Sequence, residues 1–188
     1  MLTTLSCALL TLSLTSATQQ TQTGQTQSQT QTQTMTPKQG EKMTMPQGAL
    51  SDADFMKQAT LGGKLEVDLA QMAKTKSSND KLKKAAEAIE KDHTDANAEL
   101  RMLADRADVA LPGLTDEQKA TKDRFQALSG AEFDRAWIDQ MIKDHEAAID
   151  LFTKGTKATD VSVRTFAESK LPALKSHLQM VKDLQAGK

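Results

Sequence analysis

From Ser51 onward the apolar residues recur in steps of three and four, and they do so in four successive stretches. The first runs through Phe55, Ala59, Gly62, Glu66, Leu69 and Ala73, and the second through Leu82, Ala86, Ile89, His93, Ala96, Leu100, Leu103 and Ala107. The third takes Phe133, Trp137, Met141, His145, Ala148 and Phe152, and the fourth Val163, Phe166, Lys170, Ala173, His177, Met180 and Leu184. This period belongs to a helix with one apolar side. Four such helices, each roughly 40 Å long at 1.5 Å per residue, bury those sides only by packing together. The expectation is an all-α fold, a four-helix bundle. Composition agrees, with aromatics at 3%, no Tyr, and a second half dominated by Ala, Leu, Lys, Asp and Met.

Helix ends are marked in the sequence. Ser51-Asp-Ala-Asp54 reads as an N-cap with early acids, and Ser77-Ser-Asn-Asp80 as a stop followed by the next cap. Leu111-Pro112-Gly113 ends the second helix. Thr115-Asp-Glu-Gln118 reads as a capping box opening a short extra crossover helix to about Leu128, between the second and third long helices. Ser129-Gly-Ala-Glu132 reads as another capping box, and Asp160 caps the last helix, in which Pro172 is expected to make a kink. The pair Gly62-Gly63 predicts close approach by a neighbouring helix, or a kink.

Upstream, residues 1–17 read as a secretory signal with an apolar stretch from about Leu5 to Leu14, although no Lys or Arg precedes it. The stretch is too short to span a bilayer, so the mature chain is expected to have no transmembrane segment. Residues 18–49 begin as a Thr/Gln repeat without apolar residues and read as a disordered linker to a domain over residues 50–188. The one cysteine, Cys7, falls in the signal, leaving the domain without disulfide or thiolate metal chemistry. Lys+Arg 24 against Asp+Glu 25, interspersed, offers no footprint for nucleic acid.

Each stripe carries a polar intruder. Lys91-Asp92-His93 and Lys143-Asp144-His145 repeat a tripeptide, His177 is the third and last histidine, and Glu66 is the acid of the first stripe. Glu90, three residues before His93, shares the edge of its face. Asp92 points about 100° away from His93, where it would support a ligand on a neighbouring helix rather than share one ion with it. Imidazole and carboxylate donors suit Zn, Cu, Fe or Mn. The candidate metal ligands are therefore His93, His145, His177, Glu66 and Glu90, around a single transition metal ion. The competing reading is a metal-free structural or interaction module whose core histidines are only hydrogen-bonded. An enzyme would have to rest on the metal, since no nucleophile triad, phosphate loop or nucleotide fingerprint is present.

The segments FMKQATLGGKLEVDLAQMA, IEKDHTDANAEL, FDRAWIDQMIKDHEAAIDLF and LPALKSHLQM, in order across roughly residues 50–186, resemble a bacterial family of exported, ferritin-like proteins of unknown function. This is the domain-of-unknown-function 4142 type, whose members are often labelled predicted outer membrane proteins. The resemblance implies a ferritin-like bundle and a periplasmic or outer-membrane-associated location, with association at an envelope surface. It implies no reaction. The ferritin-like two-metal pattern wants a Glu from each of two helices and Glu-x-x-His from each of the others. Glu66 and Glu90-Lys-Asp-His93 match half of it. His145 stands in place of a carboxylate, and Leu174-Lys-Ser-His177 lacks the Glu. One metal is the expectation, not a di-iron pair.

Overall fold

The structure is a computed structural model, and it describes residues 50–187. These form five helices and no strand: α1 (Asp52–Lys76), α2 (Asp80–Arg106), α3 (Asp116–Ala127), α4 (Gly130–Gly155) and α5 (Val161–Gln185). The signal expected over residues 1–17 and the linker expected over 18–49 lie wholly outside the described residues. No described helix is long and apolar enough to cross a membrane.

The caps act largely as the sequence predicts. Ser51 Oγ accepts from the Asp54 amide, Asn79 Oδ1 from Lys81 and Leu82, and Asp160 from Ser162 and Val163. Thr115 and Gln118 form a reciprocal capping box at α3. The second predicted box does not form. Ser129 makes no side-chain cap bond, because Gly130 beside it adopts φ +55° and turns the chain before Glu132 is reached. α5 continues as helix through Pro172.

The four long helices pack side by side, α1 against α2 and α4, and α5 against α4 and α2. Two apolar clusters show their directions. At one end, Phe55 from the start of α1 meets Leu100 and Ala104 late in α2, Phe152 late in α4, and Phe166 early in α5. At the other, Ala73 from the end of α1 meets Leu82, Trp137 and Val181. Hence α2 and α4 run together, opposite to α1 and α5. We call these the phenylalanine end and the tryptophan end. Because α2 finishes at the first and α4 starts at the second, the connection must travel the length of the molecule. It does so alongside α1. Lys64 Nζ donates to the Pro112 carbonyl (2.8 Å) and Gln118 Nε2 to that of Leu61 (3.0 Å). Farther along, Lys76 Nζ donates to Gln126 and Leu128 (2.7 and 3.0 Å).

Close packing explains two glycines. A Cβ on Gly63 would strike the Asn97 side chain of α2, whereas one on Gly62 would meet nothing within 4 Å. The close approach expected of the pair therefore belongs to Gly63. At Gly155 an added Cβ would overlap the Phe55 ring and Ala167, so this glycine lets α1, α4 and α5 converge at the phenylalanine end.

Candidate metal centre

Between the two apolar ends lies a polar layer. Glu66 comes from α1, His93 from α2, His145 from α4 and His177 from α5, with relative exposures of 2%, 7%, 0% and 3%. The three imidazoles form a nearly equilateral triangle, with ring centroids 5.4, 5.5 and 5.4 Å apart. One ring nitrogen from each lies within 4.8 Å of the others. Nitrogens on one ion, each at about 2.1 Å, sit roughly 3.4–3.7 Å apart, so small side-chain movements would close the set. Shared depth, which the faces of four separate helices do not dictate, is met here.

Each imidazole is held from its outer side. His93 Nδ1 lies 2.8 Å from Glu66 Oε2. His145 Nδ1 is 2.9 Å from the Met141 carbonyl, one turn back in α4. His177 Nε2 is 3.1 Å from Asp92 Oδ2, across the α2–α5 seam. A carbonyl only accepts, so His145 carries its proton on Nδ1. Glu66 Oε1, although 3.2 Å from that same nitrogen, receives no hydrogen bond. The carboxylates likewise draw protons to His93 Nδ1 and His177 Nε2. The opposite nitrogens, His93 Nε2, His145 Nε2 and His177 Nδ1, are buried without any hydrogen-bond partner. Orphaned polar atoms of this kind are uncommon, and each costs about 1–3 kcal/mol unless something meets it. Three lone pairs with three fixed tautomers in one layer fit a cation. Ligating histidines characteristically give the other ring N–H to a carboxylate or a backbone carbonyl.

Charges in the layer are coupled. Burial works to raise the Glu66 carboxyl, but the adjacent histidines, His93 first, outweigh it and hold it below the usual range. For His93, burial pulls down while the Glu66 carboxylate, by charge and hydrogen bond, lifts it above its ordinary value. Burial lowers His145 against the pull of Glu66. His177 is pushed down to about 4, by burial and then by the other two imidazoles. The opposed shifts bind Glu66 and His93 into a coupled pair, beside two imidazoles that burial holds toward their neutral form. A cation at His93 Nε2 would compete with a proton there. Asp144, next to His145, is raised to about 6 by burial and the Glu66 charge.

The remaining sequence candidate stands apart. Glu90 pairs with Lys74 of α1 and is partly exposed. Three residues before His93, it lies about 4.5 Å lower along the axis and 60° around it, which turns it into the α1–α2 seam. Glu66, for its part, stands on the Nδ1 side of both His93 and His145 and orients the His93 ring through its hydrogen bond. Lys170, the charged member of the fourth stripe, extends its ammonium to Glu99 (2.7 Å) across the Phe166 ring.

The family model described as a domain of unknown function (DUF4142) matches residues 33–184. No curated protein matches the chain. Among solved structures, a putative secreted protein DUF305 from Streptomyces coelicolor is similar, with TM-score 0.62 and 14% identity over 73% of this chain and 93% of that one. A DUF305 fragment from Deinococcus radiodurans aligns with TM-score 0.65 and 13% identity, covering 73% and 96%. CopM in its Cu(I)-bound form aligns with TM-score 0.63 and 19% identity, covering 73% and 96%. At these identities the likeness is one of fold.

Proposed function

The chain belongs to the DUF4142 family, and we propose that it is an exported, ferritin-like four-helix bundle that binds one transition metal ion in the cell envelope, for metal handling or stress protection. The observation that carries this reading is the set of three buried, partnerless ring nitrogens on His93, His145 and His177. Those imidazoles are the ligands. Glu66, Asp92 and the Met141 carbonyl orient them, and Glu66 Oε1, which receives no hydrogen bond, is the carboxylate oxygen of the layer available as a further donor. A bound ion would supply positive charge and open valences in a buried layer. The helix order, with a crossover along α1, supports the ferritin-like arrangement. That CopM has been solved with copper and with silver supports a transition metal, and the secreted description of a DUF305 relative supports export. The imidazole set without cysteine admits Zn, Cu, Fe and Mn.

Metal-free protein offered Zn, Cu, Fe and Mn in turn should take up close to one equivalent of its preferred ion. The His93→Ala/His145→Ala variant should lose at least about a hundredfold in affinity, as expected when two of three ligands are removed. Absence of binding tighter than micromolar for all four ions would reject the metal reading. It would leave a metal-free envelope module with three unsatisfied buried nitrogens.

A further inference from the structure

The polar layer is bordered very differently on its two sides. One turn toward the tryptophan end, each long helix contributes a large buried residue: Leu69, Ile89, Met141 and Val181. One turn toward the phenylalanine end, each contributes a small one: Gly62, Ala96, Ala148 and Ala173. These precede Glu66 and His177 by four residues and follow His93 and His145 by three. Because α1 and α5 run opposite to α2 and α4, all four steps lead to the same side. Side chains this short do not fill the space between four helices. A cavity of about 490 Å³ opens there, reaching Glu66, His93 and His177. His145 is fully buried and is not among the residues that line the cavity.

Leu100, Phe152 and Leu174 give the cavity an apolar wall, while its polar rim holds Asp92, Glu99 and Asp144. Lys170, the one cation among the described residues of the rim, is already paired with Glu99. Such a rim disfavours anions. The volume falls within the range of small-molecule pockets.

We propose that this cavity is a ligand pocket on the metal. It takes a small molecule with an apolar body and one neutral nitrogen donor, an amine or imidazole, whose nitrogen completes the coordination of an ion held by the three histidines. The inference rests on the metal reading above, and it separates an open site from a closed structural one. The apolar body lies against Leu100, Phe152 and Leu174, and the donor enters between His93 and His177, opposite His145.

The test uses the Co²⁺-loaded protein, with metal content measured first and the visible absorption of the cobalt followed during titration with imidazole and with 4-phenylimidazole. Both should shift the cobalt spectrum while the ion stays on the protein. The phenyl compound should bind about tenfold or more tighter, because its ring leaves water for the apolar wall. Ala148→Leu, which fills the pocket without touching a histidine, should keep the cobalt and lose that preference; Ala96→Leu serves the same purpose if the first variant does not fold. An unchanged spectrum, equal affinities, or a preference that survives the filled pocket would overturn the pocket while leaving the metal site standing. Failure to load cobalt or any other ion would overturn the metal reading, and the pocket with it.

Discussion

The two layers that flank the histidines differ in nearly every physical respect. Toward the tryptophan end, Leu69, Ile89, Met141 and Val181 are fully buried, and Trp137 donates its indole N–H to the Leu69 carbonyl at 3.1 Å. Toward the phenylalanine end, Gly62, Ala96, Ala148 and Ala173 are part-exposed around a cavity. One layer is packed for stability, and its counterpart is left open beside buried polar atoms that lack partners. In a chain whose ends are well filled, that asymmetry identifies where stability has been exchanged for access.

The sharpest way to break the comparison is to empty the packed layer. Ile89→Ala should destabilise the protein by about 2–5 kcal/mol, read from the urea midpoint, since a cavity forms where neighbours cannot collapse. An effect below about 1 kcal/mol would mean that the two layers are equally loose. Next, the polar layer itself can be made apolar. Glu66→Met with His93→Leu replaces a buried, hydrogen-bonded acid–imidazole pair by residues of similar bulk, and should leave the metal-free stability unchanged or raise it by about 1–4 kcal/mol while abolishing metal uptake. A clear loss of stability would assign the pair a structural role.

The pH dependence tests the same layer more gently. His177, near 4 when folded, and the lowered His145 both return toward 6.5 on unfolding. The unfolded chain therefore binds more protons below that value, and stability falls as pH drops from 6.5 toward 4. The raised His93 acts oppositely: its stabilisation is complete below 6.5 and is lost as pH rises through its folded value. Asp144, raised to about 6, also opposes the two lowered histidines and offsets part of their loss as pH falls below 6. Glu66, lowered from 4.5, adds a further loss only as pH falls below that value. The urea midpoint of metal-free protein should decline over pH 6.5 to 4, and less steeply in His177→Gln. The smallest effect belongs to the open layer. Gly62→Ala should stabilise by about 0.5–1 kcal/mol through helix propensity, because nothing lies within 4 Å of the added Cβ. Gly63→Ala should destabilise, because its Cβ meets Asn97. Equal responses at the two glycines would contradict the asymmetry.

Periodicity determined that there are four long helices and that Glu66, His93, His145 and His177 lie on their inner faces, and the capping box at Thr115 determined that α3 intervenes between α2 and α4. The small residues beside each histidine were also present in the stripes, but they form one layer only once helix direction is known. Glu90 shows the limit of such reasoning. Its spacing from His93 fits a ligand pair, yet it turns into the α1–α2 seam to meet Lys74. Asp92 shows the converse, since its direction away from His93 carries it to His177 of α5.

What tertiary structure decided is depth, direction and tautomer. A period of 3.6 residues sets which face a residue occupies, but not its height against a neighbouring helix. That register comes from the aromatic packing at the two ends and from the crossover pinned along α1. Only with the register set do three ring nitrogens meet, the partners of the opposite nitrogens become Glu66, Met141 and Asp92, and four small side chains line up over them as a pocket.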